Sequence, residues 1–176
     1  MREETLKDIS KQNSSTGCFV CGVHNDHSLK AGFYHLGEGT LVSLFKPLDQ
    51  HQSYPGVLHG GIAAAILDET MGRTILSLDE TLWGVTIELN MKYRKPLPTE
   101  EVLYAKAIVT EHKSRYFISK GAIILPDGSA AVTATGKFMK LPLDQITQGG
   151  DFLSDWFYVK DENQIHMPEH VLNFAL

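Results

Sequence analysis

The stretch Tyr54–Leu76, YPGVLHGGIAAAILDETMGRTIL, decides how this chain folds. It opens on turn residues, Pro55 and Gly56, and then runs from His59 to about Ser77 with apolar positions at helical spacing and no proline. This is the one long helix the sequence offers. Just beyond it, LWGVTIELNMKYRKPLP (82–98) alternates with a period of two. Val85, Ile87, Leu89, Met91 and Tyr93 form one face, and Thr86, Glu88, Asn90, Lys92 and Arg94 form the other. Two further strands are expected at 101–112 and 115–125, a turn at Pro126-Asp127-Gly128, and a last strand at 129–141. Upstream, residues 30–36 and 40–46 read as a hairpin about Gly37 and Gly39, and DQHQSYPG as a loop. Each strand has one apolar face, and the helix is what those faces must cover. The class is therefore α+β: a meander of four antiparallel strands, added to the first hairpin, wraps one central helix.

The remaining segments set the limits of the domain. Residues 1–16 read as an arm or a short helix around Leu6 and Ile9, 17–141 as the domain, and 142–176 as a tail. The tail's DFLSDWFYV is too aromatic to stay in water, so it should dock on the domain or on a neighbouring subunit. A net charge of −5 supplies no basic field for nucleic acid. No run of apolar residues is long enough for a membrane span, the first residues are too polar for a secretory signal, and the only cysteines are Cys18 and Cys21. A soluble, cytoplasmic protein without nucleic-acid or membrane partners is expected.

Candidate chemistry gathers at the helix. His59, Gly60 and Gly61 leave first-turn N–H groups open to an oxygen that carries negative charge. Glu69 lies four residues before Arg73, the order of a surface ion pair. Asp68 has no such partner: it sits on a small, apolar face with Ala64, Ala65, Met71 and Ile75. Its reading is a nucleophile or general base, against a structural hydrogen bond to a neighbouring strand.

The array PGVLHGGIAAAILDE, with CFVCG, HQSYPG, GVTIELNMKYRKPLP and TGKFM in order around it, resembles the hotdog-fold acyl-CoA thioesterases of the phenylacetate-pathway type, in a branch with an N-terminal Cys-x-x-Cys-Gly motif. The resemblance covers residues 17–140. It implies a hotdog fold and hydrolysis of an acyl-CoA to free acid and coenzyme A without a cofactor. It also implies a carboxylate from Asp68, an oxyanion hole from the Gly60 N–H at the His59 turn, Thr86 as the orienting group, and a homodimer that can pair into a tetramer. Gly61 and Ser53 fall beside the implied substrate. Arg94, Lys95 and Arg115 are the basic groups chosen for the coenzyme A phosphates. The branch has Asn-Pro-x-Gly-Leu where this chain reads NDHSL, and glycine where Ser53 stands, so the acyl group is left unassigned.

Spacing alone supports a site made by two chains. Gly60 and Asp68 are separated by a rise of about 12 Å along one helix, whereas a nucleophile and an oxyanion donor must both lie about 3 Å from one carbonyl group. Two alternatives stand beside hydrolysis. One is an acyl-CoA sensor that keeps the pocket without turnover. The other is a hotdog dehydratase, which shares PGVL but places Glu where this chain has Gly61. Cys18, Cys21, His24 and His27 tempt a zinc assignment, but one short run lacks the second ligand-bearing segment of a structural zinc site, and no metal is expected.

Overall fold

A computed structural model describes residues 9–163 and 165–176. The helix expected around Leu6 therefore falls outside the described residues, and Ile9 leads directly into a strand. Two short strands, β1 (Ser10–Lys11) and β2 (Ser14–Ser15), precede the hairpin of β3 (Gly32–Gly37) and β4 (Thr40–Phe45). The expected loop at 49–56 instead contains a 3-10 turn, Asp49–His51, and the strand β5 (Gln52–Tyr54), paired with β6 (Val57–Leu58). Helix α1 is Gly60–Gly72; it tightens into a 3-10 turn over Arg73–Ser77 rather than running on as one α-helix. Then come β7 (Gly84–Tyr93), β8 (Leu103–His112), β9 (Tyr116–Ile124) and β10 (Ala130–Lys140). The tail carries α2 (Leu143–Thr147), β11 (Trp156–Phe157) and α3 (Glu169–Leu172).

Seven strands form an antiparallel sheet in the order β1-β3-β4-β8-β9-β10-β7. The four late strands are thus not a simple meander: β7 pairs with β10, and β8 returns to β4. The cause lies in the connection 94–102, which holds Pro96 and Pro98, so it cannot close a tight hairpin with full ladder pairing. It crosses the end of the sheet instead, where Leu97 is buried and accepts the Leu58 N–H. This detour leaves β7 as an edge strand.

Helix α1 lies against β4, β7, β8, β9 and β10, burying Ala63, Ile66, Leu67, Thr70 and Met71. Phe117 and Phe138, stacked with ring centroids 5.0 Å apart, fill the space between helix and sheet. Two hydroxyl pairs pin the helix at fixed height, Ser43 with Thr70 at 2.9 Å and Thr74 with Ser119 at 2.7 Å. All four residues are buried, so each hydroxyl has its partner where water cannot supply one.

The tail packs on the domain in two places. Strand β11 pairs with β2, and Val171 of α3 joins Tyr34, Val42, Ile124 and Met167 in a second apolar cluster. Lys106, on β8, donates to the carbonyls of Val171, Leu172 and Phe174 at 3.0, 2.6 and 3.0 Å. Burial pushes its ammonium pKa down, and those three carbonyls are what allow the charge to sit there.

Candidate active site

Thr86 reaches Asp68 because of one extra residue. Strict alternation would leave Thr86 with Glu88 and Asn90, on the face turned away from the helix. In the β7–β10 ladder, however, Thr86 pairs with Phe138 and Glu88 with the adjacent Lys137, so Ile87 is a bulge. Thr86 thereby shares a face with Leu89, Gly136 and Phe138, the face that meets α1. Its Oγ1 donates to Asp68 Oδ1 at 2.7 Å. The strand hydrogen bond weighed from sequence is therefore present. It is made by the residue that the family resemblance assigns to orienting the site.

Burial pushes the Asp68 carboxyl above its ordinary range, with the negative charge of Glu69 adding to the rise and the Thr86 donor opposing it. Asp68 and Thr86 line a cavity of about 270 Å³ whose other walls include Gly72, Gly84, Trp83 and Trp156. Gly72 and Gly84 bring no side chain into it. Trp83, Phe152 and Trp156 close one end, with centroids 5.0 to 5.5 Å apart.

Gly60 lies at the other end of α1, in a second cavity with Tyr93, Arg94, Lys95 and Pro96. His59 is the N-cap of the helix: its Nδ1 accepts the Gly61 N–H at 2.9 Å, and its carbonyl accepts those of Ile62 and Ala63. The Gly60 N–H has no acceptor among the described residues. Tyr93 Oη donates to the Gly60 carbonyl at 2.8 Å and fixes the first turn. Gly61, with its N–H already bonded, offers backbone space rather than a free donor. Ser53 is exposed on the β5–β6 hairpin. Lys95 bonds Ser129 at 2.7 Å beside Gly60, while the exposed Arg115 lies at the opposite end of the sheet, level with Gly84. One chain thus brings Asp68 to Thr86, and Gly60 to Arg94 and Lys95, but keeps the two groups apart.

The Glu69–Arg73 pair forms at 2.7 Å, yet it is not a surface pair. Arg73 is only 6% exposed. Its guanidinium lies between the rings of Phe33 and Trp156, with centroids at 4.2 and 4.5 Å, and also donates to the Asn13 carbonyl at 2.8 Å and Cys21 Sγ at 3.0 Å. Four chain segments meet at this one side chain, three of them distant in sequence, which is why a local spacing rule missed its burial. Of the tempting metal set, His24 and His27 are exposed, and the ligand atoms that converge are those of Cys18, Cys21 and Glu69. His51, not singled out from sequence, is buried as a brace: its Nδ1 accepts the Leu48 N–H and its Nε2 faces the His27 carbonyl, both at 3.0 Å.

Comparison with known proteins covers the same part of the chain. A family model described as the thioesterase superfamily matches residues 55–129, which span Gly60, Asp68 and Thr86. Acyl-coenzyme A thioesterase THEM4 of Mus musculus is 29% identical over 136 residues, covering 77% of this chain and 56% of that protein. The chain spans about half the length of the curated relatives it matches. Among solved structures, the thioesterase superfamily protein RHA08564 is 25% identical with a TM-score of 0.63, covering 69% of this chain and 59% of the other. A hypothetical thioesterase with coenzyme A from Streptococcus pneumoniae TIGR4 is 23% identical with a TM-score of 0.58, covering 62% of this chain and 84% of the other. With a sheet wrapped round one long helix and this match across helix and strands, the chain has the hotdog fold and is similar to the thioesterase superfamily.

Proposed function

We propose that the chain hydrolyses an acyl-coenzyme A thioester to free acid and coenzyme A, at a site completed by two copies of itself. The observation that carries this reading is the Asp68 carboxyl, half-buried, oriented by Thr86 at 2.7 Å and facing a cavity walled in part by aromatic side chains. A desolvated carboxylate with a raised pKa is a stronger base than an exposed one. It either attacks the carbonyl carbon or takes a proton from the attacking water. The unpaired Gly60 N–H, at the positive end of α1, is suited to the oxygen that becomes anionic. Since the two lie about 12 Å apart along one helix, each site takes Gly60 from one copy and Asp68 from the other.

Arg94 and Lys95 line the cavity beside Gly60, and in this reading they receive the coenzyme A phosphates. The acyl group enters the cavity that Trp83, Phe152 and Trp156 close. Strand β7 supplies the joint between copies: it is an edge strand of ten residues, with Ile87 and Tyr93 50% and 55% exposed. No cofactor is required, because a thioester is already activated. The relatives are named acyl-coenzyme A thioesterases, and the Streptococcus pneumoniae neighbour is described with coenzyme A, which agrees with this choice of substrate. The test is free-thiol release from short, long and aromatic acyl-CoAs. Turnover on at least one, lost in Asp68→Asn, is expected. Tight acyl-CoA binding without turnover on any would instead establish a sensor.

A further inference from the structure

The cysteine turn is built around two unlike sulfurs. Gly22 donates its N–H to the Cys18 carbonyl at 2.8 Å, and a side chain at Gly22 would collide with that same oxygen. The tight turn directs both thiols at α1. Cys18 Sγ accepts the N–H groups of Val20 and Cys21 at 3.3 and 3.5 Å. It is half-buried and lines the Asp68 cavity. Cys21 is 1% exposed, and its sulfur receives the Arg73 guanidinium at 3.0 Å. The Cys18 thiol and, against the effect of burial, the Arg73 charge bring Cys21 down to about 6, while Cys18 is pushed up by its bond to Cys21 and by burial. The two sulfurs lie within 4.8 Å of each other. The guanidinium already bridges Cys21 Sγ and Glu69 Oε1, which puts a positive charge where a metal ion would have to bind. The arrangement suits a reactive dithiol better than a metal centre.

We propose that Cys18 and Cys21 are a modification site, at which a hydroperoxide entering through the Asp68 cavity converts the dithiol into an intrachain disulfide. Cys18 takes the oxygen, since Cys21 is out of reach. The Cys18 sulfur attacks one peroxide oxygen: the S–O bond forms, the O–O bond breaks, and water or an alcohol leaves with the thiol proton. Sulfur is oxidised by two electrons and the peroxide is reduced. The Cys21 sulfur then attacks the sulfenic sulfur. The S–S bond forms, the S–O bond breaks, and the leaving hydroxide takes up a proton from solvent to become water. The product has no charge to hold the guanidinium at Cys21, so oxidation loosens the joint between the N-terminal segment and α1.

The site stands on its own geometry and does not rest on the proposed hydrolysis. The full chain, reduced and desalted, is treated with hydrogen peroxide, blocked with N-ethylmaleimide and mapped by mass spectrometry. A Cys18–Cys21 disulfide reversed by dithiothreitol is expected, with loss of both alkylatable thiols. Cys21→Ser should stop at a Cys18 sulfenic acid trapped by dimedone, and in Cys18→Ser the buried Cys21 should remain unoxidised. Both variants remove the disulfide by a near-isosteric change, and circular dichroism checks their fold. Two thiols still alkylated after peroxide treatment of the folded chain would overturn the proposal. So would one zinc per chain by elemental analysis, with both sulfurs protected by it.

Discussion

Asp68 is held by one donor in a place that water only partly reaches, and that combination has opposite consequences for catalysis and stability. Its raised pKa means the folded state prefers the protonated acid, so its contribution to stability is present below the unfolded pKa and lost as pH rises through the folded one. Asp68→Asn should therefore raise the melting temperature at neutral pH and bring no gain near about pH 3.5, while lowering kcat by about a hundredfold or more. A lower melting temperature at neutral pH would show that partners hold the ionised form after all. Glu69→Gln behaves differently. Activity should stay within a few-fold, but stability to urea should fall by about 1–3 kcal/mol, because the buried Arg73 loses its anion. The pairing of Glu69 with Arg73 was legible in the four-residue spacing. Its burial was not, because the covering groups come from Asn13, Phe33 and Trp156, which no local pattern connects to it.

At the scale of elements, the helix and the long strands follow from periodicity, but the bulge that aims Thr86 does not. Ile87 continues the apolar alternation of Val85 and Leu89 perfectly, so the period of two hides the residue that breaks the register. The strand order was hidden for a related reason: a run of strands says nothing about which edge the connection through Pro96 and Pro98 reaches. The bulge makes a specific claim, that the Thr86 hydroxyl faces Asp68 and lowers its pKa against the effect of burial. Thr86→Val should lower kcat by about tenfold and move the acidic limb of the pH–rate profile to higher pH, since the donor is gone and desolvation remains. Thr86→Ser should restore both. A Val variant whose rate falls without any shift of that limb would mean that Thr86 only fills space.

At the scale of the whole molecule, the tail and the sheet edges divide the surface unequally. Residues of the tail cover part of the sheet face away from α1, through Lys106 and the cluster around Val171, whereas among the described residues the β7 edge stays open with Ile87 and Tyr93 exposed. A second copy added along that edge would place two helices side by side about a two-fold axis, each offering its Gly60 end to the other's Asp68. Complementation tests this directly. Gly60 is the first residue of α1, a position that accepts proline because no helical bond is lost, and a Cβ there meets Tyr93 at an ordinary 3.4 Å. Gly60→Pro removes the proposed oxyanion donor, and Asp68→Asn removes the carboxylate, so either homodimer has two broken sites. After co-refolding in equal amounts, half the dimers should be hybrids, and each hybrid joins an intact Gly60 to an intact Asp68 at one of its two sites. Activity should return to roughly a quarter of the wild-type value. If both groups served one site from the same chain, every site in the mixture would lack one of them. Hybrids seen by native mass spectrometry in a mixture that stays inactive would therefore rule out the shared site, and with it the assignment of Gly60 and Asp68 to one reaction.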